Sequence, residues 1–155
     1  MKLTSRLPGF PSGLLSTLIF LSMGTASVLA GEVRFEAQLI WATNDKESKD
    51  PKLKPVDSEI RKKLTDLPLK WEHYYSVKSE QVIVSKGGTN LVTMSDKCIV
   101  EIKRLGDSKV EVALHGKNGN TCAKRTQPLP KGEILVVGGN APNATAWLVT
   151  LKRIE

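Results

Sequence analysis

From residue 32 onward the chain alternates between apolar and polar positions. In EVRFEAQLIWAT the side chains of Val33, Phe35, Ala37, Leu39 and Trp41 fall on one side of an extended strand, and Glu32, Arg34, Glu36 and Gln38 fall on the other. Ile40 is the one exception to a strand with a single buried face. The stretch from Thr43 to Val56 carries Pro51 and Pro55 and no periodicity, which predicts a long exposed loop. The period then changes. Ile60, Leu64 and Leu67 recur at helical spacing, Asp57 is placed to accept hydrogen bonds from the first free backbone N–H groups, Glu59 lies in the first turn and Pro68 ends the run. One short helix is predicted over 57–67. Such a helix is marginal alone in water, so its apolar stripe must be covered.

Period two returns at Leu69. The runs LKWEHYYSV, QVIV, LVTM, KCIVEIKRL, KVEVALH, TCAKRTQ, EILVV and AWLVTLKRI are separated by short segments rich in Gly, Asn, Asp, Ser and Pro. Close, regular spacing of this kind predicts an all-β fold, an antiparallel β-sandwich of seven to nine strands with one short helix. Charge selects the register of the hairpin across GDS. One pairing sets Glu101 against Glu111 and Lys103 against Lys109. The other, shifted by two, sets Lys103 against Glu111 and Leu105 against Lys109 over a three-residue loop. Like charges directly opposite destabilise a sheet, whereas an opposite pair contributes up to about 1 kcal/mol, so the second register is expected.

Residues 1–30 do not fit this pattern. Lys2 and Arg6 precede the apolar run Gly13–Leu21, and Val28 and Ala30 fill the small-residue positions of a cleavage site, as in a signal peptide cut after Ala30. No cysteine stands at position 31 to accept a lipid. Retention as a membrane anchor is disfavoured, because a span wants about 20 apolar residues and Ser16, Ser22, Gly24 and Ser27 interrupt this one. A secreted or periplasmic product is expected, a single domain over 31–155 with no transmembrane segment. Losing Lys2 and Arg6 lowers the net charge from +7 to +5. The remaining lysines are interleaved with acids rather than clustered with stacking aromatics, so no nucleic-acid partner is expected.

The candidates for chemistry are few. In the preferred register Glu101 and Glu111 are not paired, and the side-by-side carboxylates of a retaining glycosidase are lost. There is no Gly-x-Ser-x-Gly elbow, no phosphate loop and no metalloprotease motif, so neither catalysis nor a cofactor is expected. Export permits a disulfide between Cys98 and Cys122. In a simple meander, however, they lie two strand spacings apart, about 9.6 Å, where a bridge wants Cα atoms within about 7 Å. A bridge would need the third strand to cross to the other sheet; otherwise Cys98 is a small core residue. His115 alternates onto the face opposite Cys98 and His73 is far along the chain, so no zinc site is expected and His115 reads as a solvated edge residue.

Trp71, His73, Tyr75 and Val77 share one face of their strand. Trp71 and Tyr75 read as core, and Tyr74, on the other face, is the aromatic expected to be exposed and a candidate for binding. In VVGGNAPNATAW, Val136 and Val137 end one strand, Trp147 begins the next, and residues 138–145 form the loop between them. Its glycines are expected to supply positive φ, and Asn140 and Asn143 to bond their own backbone, with a binding role as the alternative.

Taken together, LPLKWEHYYSV, MSDKC and TQPLPKGEILVVGGNAPNATAWLVTLKRI resemble a family of small exported bacterial proteins of uncharacterised function, over Leu67 to the C-terminus. The resemblance implies export and brings no activity with it. Separately, TQPLPKGEILVVGG is similar to a segment of the secretin pore proteins, which implies an accessory β-domain of the envelope. The expectation is a non-enzymatic binding or envelope-assembly module whose partner is an envelope protein or a glycan. A weak glycan hydrolase is the alternative, and β-augmentation through an uncovered edge strand is a third route.

Overall fold

The computed structural model describes residues 31–45, 48, 50–140 and 145–155, and the expected leader lies outside them. Nine strands and one helix follow in order: β1 (Glu32–Thr43), β2 (Lys54–Pro55), α1 (Ser58–Thr65), β3 (His73–Ser85), β4 (Thr89–Ser95), β5 (Cys98–Arg104), β6 (Lys109–His115), β7 (Thr121–Pro128), β8 (Ile134–Asn140) and β9 (Ala146–Arg153). They form two antiparallel sheets, ordered β2-β3-β1-β9-β8 and β4-β5-β6-β7. The expected all-β sandwich is the observed architecture, and Lys103 stands opposite Glu111 as charge required.

Between the sheets lies a core of inward residues, among them Phe35, Leu39, Val84, Ile102, Val112 and Leu151. The five-stranded sheet is also covered on its outer face. Asp57 caps α1 by accepting from the Ile60 N–H, and Ile60 and Leu64 pack on Ile40, Tyr74, Val136 and Leu148. This explains Ile40: from Leu39 onward β1 is buried on both faces, so alternation stops. The Lys152 ammonium donates to Glu59, tying helix to sheet and raising the lysine pKa.

Several expected boundaries change. LKWEHYYSV and QVIV belong largely to one 13-residue strand, and Ser79–Glu80 is no turn but pairs with Gln38 and Ala37 of β1. The 43–56 segment is not wholly an exposed loop. Thr43 completes β1, Lys54 and Pro55 pair with Ser76 and Tyr75, and Val56 is buried with its N–H on the Tyr74 carbonyl. Gly138 and Gly139 lie inside β8 and do not have positive φ.

Around the molecule the strand order follows the chain, except that β1 is inserted between β9 and β3 and the short β2 lies outside β3. The sheets meet at two seams bridged by side chains. At one, Lys78 Nζ donates to the Thr93 carbonyl (2.9 Å) and Asn90 Nδ2 to that of Ile83 (3.0 Å). At the other, Arg125 Nη1 reaches the Val136 carbonyl (3.4 Å). One end of the sandwich is sealed by Leu129, fully buried, and by Arg104, 4 % exposed, whose Nη1 donates to the carbonyls of Gly31 (2.5 Å) and Val84 (3.0 Å) across the gap between sheets. Arg153 adds bonds to the carbonyls of Asp107 and Leu129.

A buried guanidinium that loses its acceptors, or acceptors that lose it, costs the desolvation of the group left behind. Arg104→Met is expected to lower unfolding free energy by about 3 kcal/mol, and Lys103→Met on the exposed side of the same strand by less than about 0.5 kcal/mol. Urea denaturation of both variants checks this.

Candidate functional site

The opposite end is open. There β1 and β3 pass through a register shift: Leu39 pairs with Lys78 and Ile40 with Ser76, leaving Val77 as an extra residue. Similar shifts leave Met94 unpaired in β4 and Cys122 in β7. All three bulges lie toward this end. A bulge re-aims the side chains around it and concentrates at rims and sites. Here the bulge at Val77 reverses the parity of β3. Val82 and Val84 point into the sandwich core, whereas past the bulge Tyr75 pairs with Trp41 on the inner face and Tyr74 joins the outer cluster.

The result is an aromatic row running across strands rather than along one. Tyr75, Trp41 and Trp147 are successive cross-strand partners on β3, β1 and β9, and Gly139 of β8 continues the row. The Trp41 and Tyr75 rings lie 5.9 Å apart, while Trp147 is 46 % exposed. Beside it a cavity of about 580 Å³ opens between the sheets. Leu39, Val77, Leu114, Ala123 and Trp147 supply apolar wall, Cys98 and Cys122 supply two thiols, and Ser95, Asp96, Lys97 and His115 supply polar groups. A volume of this size is within the range that holds small ligands.

The expected site residues are distributed differently. Tyr74 is not exposed: it is 7 % exposed beneath α1, and its hydroxyl donates to the Trp71 carbonyl at 2.9 Å. Burial raises its pKa. The helix covers the face that alternation left open, so Tyr74 is removed from the candidate site. Trp71 and Tyr75 are both buried as expected but do not share a face: Trp71 joins the outer cluster with Tyr74, whereas Tyr75 pairs with Trp41 on the inner side. The Asn140 backbone pairs with Ala146 at the end of β8, and Asn143 lies outside the described residues. Missed altogether were Trp41 and Trp147, since only the pairing of β1 with both β3 and β9 brings them to Tyr75.

His115 is not a solvated edge residue. It ends a central strand, its Nε2 lies 2.9 Å from Glu101 Oε2 and its Nδ1 3.2 Å from Thr121 Oγ1. The close partner of Glu101 is therefore His115. Glu111 accepts from Lys124 and Thr126, and the Lys124 hydrogen bond first of all holds its carboxyl below the usual range; Lys86 does the same for Asp107. Neither of these carboxylates lines the cavity. Cys98 and Cys122 are free thiols that both line it. Burial, and secondarily the charge of Cys122, pushes the Cys98 thiol up. Among the described residues no group of three or more His, Cys, Asp or Glu is placed to hold a metal ion, and no helix is long and apolar enough to cross a membrane.

No protein-family model matches the chain, and neither does any curated protein or solved structure.

The two thiols differ in access. Cys122 is exposed, whereas Cys98 is half-buried and, with its pKa raised, holds less thiolate at neutral pH. Iodoacetamide is expected to label Cys122 at least about tenfold faster than Cys98 at pH 7.5, with Cys98 catching up as pH rises. Peptide mass spectrometry over a time course checks it.

Proposed function

We propose that this chain is an exported, non-enzymatic binding module that holds a small apolar group at the open end of its sandwich. The observation that carries the reading is the inner-face row Tyr75–Trp41–Trp147, opening beside an apolar cavity at the end that Arg104 and Leu129 do not seal. Stacking area and apolar wall lie together, and the partly exposed Trp147 stands where an entering ligand would meet it first. Export rests on the composition of the first 30 residues. A binding role fits better than acid–base chemistry, because the carboxylates with shifted pKa move downward and stay ionised outside the cavity.

Envelope assembly by β-augmentation has less support. Each sheet edge is guarded: β2 is Lys54–Pro55, β4 is bulged at Met94 with Lys78 on its Thr93 carbonyl, β7 carries Lys124, Arg125 and Pro128, and Arg125 reaches the β8 carbonyl of Val136. A glycan stacked on Trp147 is the second reading, favoured by that ring's exposure.

Gly139 offers the test. A Cβ there meets nothing within 4 Å, so a side chain can start at this lining position and Gly139→Leu is directed at the mouth. Titration with anilinonaphthalene sulfonate, followed by tryptophan quenching, is expected to show saturable binding that the variant weakens about tenfold, the equivalent of about 1.4 kcal/mol, at an unchanged melting temperature. Equal affinity in both proteins would sink the cavity reading. Quenching by soluble oligosaccharides but not by the apolar probe would favour the glycan.

A further inference from the structure

The two thiols share more than a cavity. The ladder between β5 and β6 ends with Ile99 opposite His115, so its next step sets Cys98 against Gly116. From the other side, the bulge at Cys122 leans that side chain over the same glycine: a Cβ on Gly116 would stand 3.2 Å from Cys122 Sγ. Gly116 thus leaves room beneath Cys122 Sγ on the strand that separates the two cysteines. A larger residue there would press on Cys122 Sγ.

Their strands flank β6, which places their Cα atoms about two strand spacings, or about 9.6 Å, apart. A disulfide spans only about 7 Å. Replacing an S–S bond of about 2.05 Å by two metal–sulfur bonds of about 2.3 Å lengthens the reach by about 2.5 Å, to about 9.5 Å. The spacing that excludes a direct bridge therefore suits an ion held between the sulfurs. Two ligands do not satisfy zinc, which wants four, and no third His, Cys, Asp or Glu joins them to make a larger cluster. Thiolate selects soft ions, and Cu(I) accepts two thiolates in line.

We infer that Cys98 and Cys122, on the strands either side of Gly116 and lining one cavity, form a two-thiolate site for a soft monovalent ion of the Cu(I) type. On binding, each thiol gives up its proton to solvent and one sulfur–metal bond forms at each cysteine, with no change of oxidation state. Because the ion competes with two protons, affinity falls as pH falls. The inference rests on the two cysteines and their strands, not on the apolar ligand of the proposed function.

The test is an anaerobic titration of the reduced protein with Cu(I) against a chromophoric Cu(I) chelator, with thermal melts of every variant to confirm folding. One ion per chain is expected. Cys98→Ser and Cys122→Ser should each weaken binding by more than about 100-fold, beyond the roughly 10- to 100-fold that loss of a supporting partner costs. Gly116→Val should weaken it while leaving both thiols open to labelling, a result that a merely structural role for the cysteines would not produce. Absence of stoichiometric binding overturns the inference. So does full affinity in either serine variant, or ready air oxidation to an intramolecular disulfide, detected as the loss of two hydrogens and both free thiols.

Discussion

The fold depends on one long-range pairing: β1, first in the chain, lies between β3 and the last strand, β9. Without β1 the five-stranded sheet separates into β8–β9 and β2–β3, and both apolar layers lose their centre. Phe35, Ala37 and Leu39 belong to the core between the sheets, and Ile40 and Ala42 to the layer under the helix. One strand thus supplies two cores. The consequence for folding is that the central ladder closes only when residues more than 100 apart in sequence meet, as Ala37 and Leu151 do; such non-local pairing is slow.

Local signals were readable where the cause was local. Asp57 capping, the spacing of Ile60 and Leu64, and the charge pair Lys103–Glu111 all act between near neighbours, and each is found where its chemistry placed it. The fold class was legible because alternation and turn residues recur along the whole chain. What escaped depends on partners distant in sequence. A bulge such as that at Val77 has no residue signature of its own, yet it decides which way Tyr75 and Tyr74 face. Tyr74 was misplaced because period two says that a side chain leaves one face, not whether a helix waits on the other. Trp41 read as an ordinary inward residue and Trp147 only as the start of a strand, until β1 joined β3 and β9.

The two ends of the sandwich divide the work. At one, a buried guanidinium bonded to the Gly31 and Val84 carbonyls, together with buried Leu129, joins the sheets. At the other, three bulges interrupt the ladders, and the inward side chains give way to a cavity and two thiols. Regular pairing suits stability, whereas an interrupted ladder re-aims side chains toward a site. Substitutions at the two ends therefore meet different surroundings, a closed hydrogen-bonded seam at one and a cavity wall at the other.

The sealed end is also where the described chain enters and leaves. Gly31 is held there by Arg104, and the N–H of Ile154 bonds to the Arg34 carbonyl at 2.9 Å. The molecule is therefore polar in the geometric sense, with both attachment points at one pole and the aromatic mouth at the other. A reporter fused after Glu155, or a surface to which that residue is coupled, leaves the mouth pointing away from the support, so immobilised protein keeps its cavity open to solution.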